Sequence, residues 1–240
     1  FFLTNEKGLD MEHGPIHVHR YLNPQSIRQE LEQSLRRLRT DFIDLYQTHW
    51  QDSTTRIEDT MAELLKMKDE GKIRAIGVSN AKEEHLARYC ALGQVASAQE
   101  RFSLLDRRIE TDPLPFCRKN NIAILAYSPL EHGLLTGKIT ADRVFGAGDL
   151  RIGDPKYTPE NLARISAFMA ATAPVREKHE ATAAQVILAW TIAQPGITHA
   201  LAGGRSPKQV IENAGAADIR LDQEDIQLID MAYREYSDIG

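Results

Sequence analysis

The sequence predicts a parallel α/β fold, either an open, doubly wound sheet or a closed barrel. Segments of helical and of strand character alternate through five strands, each about one βαβ repeat from the next. No Gly-x-Gly-x-x-Gly motif follows any of these strands, which counts against a dinucleotide-binding Rossmann half. A barrel needs eight strands. Because the chain begins with Phe1 rather than methionine, we expect the other three strands to precede it in a longer protein.

Composition is ordinary for a globular protein, with 42% hydrophobic and 26% charged residues among 240. The net charge of −5 argues against a general nucleic-acid-binding function. No apolar stretch approaches the roughly 20 residues that cross a bilayer, so no membrane span is predicted. Cys90 and Cys117 are too few for a disulfide framework or a zinc site. Both fit reduced thiols, and we predict a cytoplasmic protein.

The first 22 residues are predicted to form an irregular loop, because glycines and a proline interrupt any periodic pattern there. His13, His17 and His19 lie in this loop and raise the alternative of a metal site. We prefer a solvated loop, and no metal is predicted.

Regular structure begins at Asn23 and Pro24, which have the residue types of an N-cap and a first helical position. Apolar residues then recur at helical spacing to about residue 39. The remaining elements of the first half are predicted in the same way, as helices at 56–70, 83–92 and 113–120 and strands at 42–46, 73–78, 95–99 and 122–126.

A long glycine-bearing segment at 131–157 separates these elements from the last third of the chain. Ser206 and Pro207 mark the start of a helix that follows the fifth strand. The other elements predicted here are helices at about 159–179 and 182–194, a strand at 197–202 and an amphipathic helix from 221 on.

Polar or aromatic residues stand at the ends of all five predicted strands. In a barrel the carboxyl ends of parallel strands meet on one rim, where ligands bind. In chain order these residues are His49 and Trp50, Ser79 and Asn80, Gln99, Tyr127 and Ser128, and Gly203, Gly204 and Arg205.

These residue types fit a nicotinamide dinucleotide. Ser79, Asn80 and Gln99 offer donors and acceptors for both edges of a carboxamide, and Tyr127 offers a flat face for an aromatic ring. Arg205 precedes a helix N-terminus, which favours a phosphate by charge and by free N–H groups. The alternative for each residue is a structural hydrogen bond to a nearby loop.

The chain resembles the aldo-keto reductase superfamily, in particular the branch with bacterial general-stress type reductases and potassium-channel β-subunits. The motifs that carry the resemblance span nearly the whole chain in the family's order. They are SLRRL at 34–38 with the segment 41–50, GKIRAIGVSN at 71–80, YSPL at 127–130 with LLTGK at 134–138, and GGRSP at 203–207 followed by Gln209, Glu212 and Asn213.

The resemblance implies an (α/β)8 barrel, present here as about five of its eight βα units, that binds NADP(H) in extended form. Ser79, Asn80 and Gln99 would hold the nicotinamide carboxamide, and Tyr127 would stack on the ring. The residues implied along the pyrophosphate are Ser128, Leu130 and Lys138, and those around the 2′-phosphate end are Gly203, Arg205, Gln209, Glu212 and Asn213. Glu131 and His132 stand where relatives often carry other residues.

The resemblance also implies hydride transfer to an aldehyde or ketone, with His49 orienting the carbonyl and Trp50 lining the substrate pocket. The family's aspartate, tyrosine and lysine belong to its first three strands, which we expect before Phe1. Lys7 is an alternative candidate for that lysine, although its glycine-flanked setting gives no burial to perturb its pKa. We therefore expect the chain alone to be an inactive fragment.

We expect one barrel domain over residues 1–240, made of a loop at 1–22, βα units at 23–220 and a C-terminal helix at 221–240. The predicted partner is a small aldehyde or ketone, with neither nucleic acid nor a membrane, and the sequence leaves the oligomeric state open. A non-catalytic NADP(H)-binding regulatory subunit, similar to potassium-channel β-subunits, is the alternative function.

Overall fold

The computed structural model describes residues 20–140, 142–146, 149 and 151–236. The sequence predictions for Lys7, for His13, His17 and His19, and for most of the loop at 1–22 lie outside the described residues. Within the described residues, no helix is long and apolar enough to span a membrane.

Five strands form the sheet, and they neighbour one another in chain order. Strands β1, β2 and β3 pair in parallel, with Gln47 opposite Gly77 and Gly77 opposite Ser97. The strands are β1 (Ile43–Gln47), β2 (Ile73–Ser79), β3 (Ser97–Arg101), β4 (Ala123–Tyr127) and β5 (Ile197–Leu201). Each predicted strand is therefore present.

Strand β3 lies two residues later than the sequence predicted. Gln99 was expected to be the last residue of a strand at 95–99, but it lies in the middle of Ser97–Arg101. A strand ends where its pairing ends, and the main-chain N–H of Phe102, just beyond β3, still donates to the carbonyl of Tyr127 in β4. The polar residues Glu100 and Arg101 give no apolar signal for this extension.

Nine α-helices lie in the described part of the chain, and the sequence predicted their positions with one error. They are α1 (Pro24–Leu38), α2 (Ile57–Asp69), α3 (Glu83–Leu92), α4 (Leu114–Lys119), α5 (Pro159–Ala171), α6 (Ala173–Lys178), α7 (Ala183–Ala193), α8 (Pro207–Ala214) and α9 (Gln223–Tyr236). The single helix predicted at 159–179 is in fact α5 and α6. Pro174 explains the break, because it has no N–H to continue the hydrogen bonds of α5.

Helix α1 shows how the local sequence sets an element. The Asn23 side chain accepts a hydrogen bond from the Ser26 N–H at 2.8 Å, which caps the first turn. Ile27, Leu31 and Leu35 recur on one face and are buried. The helix ends at Arg39, whose φ of 55° is left-handed.

The described part of the chain divides into two compact units. The first contains the residues up to Glu100 together with Arg108–Leu125, and the second contains Arg101–Arg107 together with the residues from Ala126 on. In the second unit the rings of Phe102 and Trp190 stack at 5.8 Å between centroids, and both are fully buried. The expected single barrel domain stays a prediction.

Candidate active site

In the first unit, the segment after β1 places His49 and Trp50 beside each other. Their ring centroids are 5.9 Å apart in an edge-on arrangement. The guanidinium of Arg20 lies 4.2 Å from the Trp50 ring centroid, a cation–π contact. Burial and then the positive charge of Arg20 lower the pKa of His49, so the imidazole is neutral at pH 7. A neutral imidazole can donate one N–H to a carbonyl oxygen.

The end of β2 joins His49 to the predicted carboxamide residues. The Asn80 amide Nδ2 donates to the His49 carbonyl at 2.8 Å and lies 3.1 Å from the Ser79 Oγ. The Ser79 hydroxyl in turn donates to the Gln99 carbonyl at 2.7 Å. His49, Ser79, Asn80 and Gln99 are therefore brought together within one unit.

Asn80 has a left-handed backbone, with φ of 53°. This conformation is uncommon for residues other than glycine, and asparagine is among those that tolerate it best. It turns the chain away from β2 while the main-chain N–H of Asn80 still donates to the Gln99 carbonyl at 3.1 Å. The corner after β2 is thus tied to β3 through its main chain as well as through Ser79.

Sequence reasoning missed Gln47, which supports Gln99 from β1. The Gln47 Nε2 donates to the Gln99 Oε1 at 3.2 Å, and the Ser97 hydroxyl donates to the Gln47 Oε1 at 2.7 Å. A Cβ atom on Gly77 would lie 2.6 Å from that Oε1, so only glycine fits between the two strands. The available signal was strand alternation, which puts Gln47 on the same face as His49.

Gln51 is a second residue that the sequence did not single out. Its Nε2 donates to the Ser79 carbonyl at 3.3 Å. Its Oε1 is buried and has no partner among the described residues. Gln51 thus holds β2 at the residue that precedes Asn80.

In the second unit, Tyr127 is the last residue of β4, and Ser128 follows with a φ of 58°. Leu130 is half-buried and leads into a 3₁₀ turn at Glu131–Thr136. The sequence assigned no role to Glu131, yet its side chain is only 1% exposed. It lies 2.7 Å from Arg101 Nη2 and 3.1 Å from Lys156 Nζ, and it accepts a hydrogen bond from the Ser103 hydroxyl at 2.8 Å.

The second unit also brings together the residues predicted for the phosphate end. Gln209 Oε1 accepts from the main-chain N–H of Arg205 at 2.7 Å, and Asn213 Nδ2 donates to the Gly203 carbonyl at 3.1 Å. Ser206 caps α8 by accepting from the Gln209 N–H at 3.3 Å. The Arg205 side chain is exposed and lies beside this helix N-terminus, a favourable place for an anion.

Lys138 and Glu212 belong to the same unit and form an ion pair, with Lys138 Nζ 3.5 Å from both carboxylate oxygens. The sequence assigned Lys138 to the pyrophosphate and Glu212 to the far end of the cofactor. Their contact shows that these two predicted residues are neighbours. Whether either binds a cofactor stays a prediction.

A family model for the aldo/keto reductase family matches residues 5–234. The chain belongs to this family. Its members are oxidoreductases, so the expectation of an enzyme class from the sequence motifs is confirmed at that level.

Two individual oxidoreductases are similar to the chain over most of its length. The chain is 39% identical over 219 residues to an NADH-specific methylglyoxal reductase from Escherichia coli, covering 90% of this chain and 67% of that protein. It is 34% identical over 209 residues to the aldo-keto reductase yakc [NADP(+)] from Schizosaccharomyces pombe, covering 86% of this chain and 62% of that one. The chain therefore spans about two thirds of these relatives' lengths.

A solved structure confirms the fold class. The glycerol dehydrogenase from Gluconobacter oxydans superposes with a TM-score of 0.91 at 36% identity, covering 98% of this chain and 71% of that one. The fold is thus the α/β barrel type of the aldo/keto reductases, with five parallel strands in the described residues.

Proposed function

We propose that the protein reduces small aldehydes or ketones to alcohols, with NADP(H) as cofactor and His49 as the residue that orients the carbonyl. The observation that carries the proposal is the hydrogen bond from Asn80 Nδ2 to the His49 carbonyl. It ties the candidate carboxamide residues to the segment that bears the imidazole. A nicotinamide bound there would lie close to a carbonyl that His49 binds.

The residues of the first unit fit a carboxamide. Such a group carries two N–H donors and one carbonyl acceptor, and Ser79, Asn80 and Gln99 together offer both kinds of partner. The cofactor would supply the hydride, and the family's catalytic tyrosine would supply the proton that completes the alcohol. His49 would donate an N–H to the carbonyl oxygen and so favour the negative charge that develops there. Its lowered pKa keeps the imidazole in the neutral form that leaves the other ring nitrogen free of a proton.

The choice of NADP(H) rests on Arg205. Its guanidinium can pair with a 2′-phosphate, which NADH lacks. Glu212 would repel that phosphate, but its ion pair with Lys138 offsets much of the carboxylate charge. An NADH preference is the alternative, because a free carboxylate at Glu212 could accept a hydrogen bond from a ribose 2′-hydroxyl. The two relatives named above also differ in cofactor, because one is named NADH-specific and the other is named with NADP(+).

The test is NADPH oxidation, with a panel of small aldehydes and ketones, by a purified protein that carries this chain together with the aspartate, tyrosine and lysine of the family's catalytic set. We expect carbonyl-dependent loss of NADPH absorbance. His49→Gln should lower kcat/KM by roughly 10²- to 10⁴-fold, the range for a group that assists proton or charge transfer, and should leave the NADPH Kd unchanged. His199→Gln is the matched control, since His199 is exposed on β5.

Each other outcome is informative. Tight NADPH binding without turnover for any carbonyl would favour the non-catalytic regulatory function. Turnover by His49→Gln equal to that of the unmodified protein would remove His49 from its role, and absence of NADPH binding would contradict the proposal as a whole.

A further inference from the structure

Glu100 follows Gln99 in β3 and is a buried carboxyl group outside the proposed catalytic set. Only 6% of its surface is exposed. Successive residues of a strand point to opposite faces, so Glu100 faces away from the side on which Gln99 meets Gln47. Its Oε1 accepts a hydrogen bond from the main-chain N–H of Ala81 at 2.9 Å, 19 residues away.

The main-chain N–H of Ala81 is buried and requires a hydrogen-bond acceptor. The residue is 2% exposed, and a buried main-chain N–H without an acceptor costs about 1–3 kcal/mol. Ala81 directly follows Asn80, whose left-handed backbone is held on its other side by the Gln99 carbonyl. Two consecutive residues of β3 therefore fix the corner after β2, one through its carbonyl and the other through its side chain.

The charge of Asp112 acts on Glu100. Asp112 precedes α4 in the chain, and its carboxylate accepts a hydrogen bond from the main-chain N–H of Glu83 at 2.7 Å. Burial raises the pKa of the Cys117 thiol on α4 to about 12, and Glu100, Cys90 on α3, Asp112 and Glu83 add to the increase. Burial raises the pKa of Glu100 to about 8, against the hydrogen bonds from Ala81 and Asn80, and Asp112 adds to the increase.

We propose that Glu100 is a positioning residue for the nicotinamide carboxamide site, because its buried carboxyl group holds Ala81 and thereby keeps Asn80 in its left-handed conformation. This inference rests on the proposed function, since it assumes that Asn80 contacts the carboxamide. Glu100 itself does not contact the cofactor.

The protonation state of Glu100 then affects cofactor binding. The neutral carboxyl group uses one oxygen as a hydroxyl, whereas the carboxylate accepts hydrogen bonds with both oxygens and bonds more strongly. The corner is therefore held more firmly as the pH rises through about 8. We expect NADPH affinity to rise over that interval by about the tenfold that a charge-assisted hydrogen bond provides.

The experiment compares Glu100→Gln and Glu100→Ala with the unmodified protein between pH 6.5 and 9.5. NADPH and adenosine 2′,5′-bisphosphate serve as the two ligands, the second of which lacks a nicotinamide. Glu100→Gln should bind NADPH without the rise in affinity near pH 8, because a carboxamide accepts from Ala81 but does not titrate. Glu100→Ala should also lack the rise and should bind NADPH about tenfold more weakly than Glu100→Gln at every pH, the loss of one hydrogen bond.

Adenosine 2′,5′-bisphosphate should bind equally to all three proteins, which separates positioning from a general loss of structure. The matched control is Glu84→Gln, since the Glu84 side chain is 70% exposed, and it should keep the pH profile of the unmodified protein. Equal weakening of both ligands by Glu100→Ala, or an unchanged NADPH profile in Glu100→Gln, would overturn the inference.

Hydrogen exchange at the Ala81 amide keeps the inference testable if NADPH does not bind, in which case the proposed function fails by itself. Exchange at Ala81 should be at least tenfold faster in Glu100→Ala than in Glu84→Gln, both measured without ligand. Equal exchange rates would show that Glu100 does not hold the corner.

Discussion

Single residues decide the chemistry of both candidate subsites, and Arg205 is the clearest case. Its main-chain N–H donates to Gln209 Oε1, a contact that truncation of the side chain leaves in place. The exposed guanidinium is therefore available for recognition alone. The consequence is that truncation should affect a ligand and leave the loop in place.

We predict that Arg205→Ala raises the NADPH Kd by roughly 10- to 100-fold and changes the NADH Kd by less than about 2-fold. The difference corresponds to the 1.5–3 kcal/mol of a hydrogen bond between charged groups. Cofactor titration followed by fluorescence measures both constants. Arg164→Ala, which removes a guanidinium paired with Glu160 within α5, is the control, and equal losses for both cofactors would exclude Arg205 from phosphate recognition.

At this scale the sequence indicated polar residues that the structure brings together, because a polar side chain beside an apolar strand is visible without a structure. It did not predict their supports. Gln47 reaches Gln99 across 52 residues, Glu100 reaches Ala81 across 19, and Arg101 reaches Glu131 across 30. Such pairs depend on the register between strands and on turn geometry, which single-residue patterns do not contain.

Among the elements, the described residues between Glu131 and Tyr157 show which contacts hold the two ends of a long loop together. Its two ends meet, because Lys156 Nζ contacts the Glu131 carboxylate and the Tyr157 hydroxyl donates to the Glu131 carbonyl at 3.2 Å. Between them, the Phe145 ring packs edge-on against Tyr157 at 5.4 Å and lies under the Arg151 guanidinium. The segment therefore has a small cluster of its own, as compact surface loops often do.

Glu131→Gln should destabilise the protein by about 2 kcal/mol, because it removes the carboxylate beside the partly buried Lys156 and leaves Arg101 with only its 3.5 Å pair to Asp106. Urea unfolding at pH 7 measures the loss. Burial alone would raise the pKa of Glu131, but the hydrogen bonds from Arg101 and Ser103 outweigh it and lower that pKa. The Glu131 carboxylate thus contributes its full stabilisation above the unfolded pKa near 4.5. This stabilisation is lost as the pH falls through the lower pKa of the folded protein.

Glu160→Gln is the control for this loop, since the Glu160 side chain is 78% exposed and its pair with Arg164 lies on the surface of α5. It should change the unfolding free energy by less than about 0.5 kcal/mol. A Glu131→Gln variant as stable as this control would mean that the loop ends are held by other contacts.

Helix and strand positions were predictable at this scale because apolar periodicity and capping residues are local signals. The exception is the single helix predicted at 159–179. Apolar residues continue at helical spacing across 159–179, and this pattern concealed the break between α5 and α6. Pro174 carried the signal, because its missing N–H and its ring both oppose a continuous helix.

At the scale of the whole molecule, the pKa of Glu100 links the stability of the fold to pH. The unfolded chain releases this proton near pH 4.5, whereas the folded protein retains it to about pH 8. Because its pKa is raised in the folded protein, protonated Glu100 contributes stability. That contribution is complete below the unfolded pKa and is lost as the pH rises through the folded pKa. The free energy of unfolding can fall by about 1.4 kcal/mol per pH unit between the unfolded and the folded pKa of Glu100.

We predict that Glu100→Gln becomes progressively more stable than the unmodified protein between pH 5 and 8, with a constant difference above about pH 9. The comparison is made by urea unfolding at each pH, with Glu84→Gln carried through the same series. A difference that does not change with pH would show that Glu100 is ionised throughout and that its burial costs less than the geometry indicates.

The parallel α/β class and the family were predictable from the sequence, because alternating elements and ordered motifs extend along most of the chain. The division into two compact units was not. Two of its three boundaries fall after Glu100 and after Leu125, within β3 and β4, where neither a linker composition nor a glycine or proline cluster marks a change.

That division has a practical result for dissecting the protein. Arg101–Arg107 belongs to the second unit, although Arg108–Leu125 returns to the first. Neither unit is therefore one continuous stretch of polypeptide, and no single cut by a protease or by a stop codon releases either of them intact. Expressing the first unit by itself would require a new covalent joint between Glu100 and Arg108, a deletion short enough to be made directly in the gene.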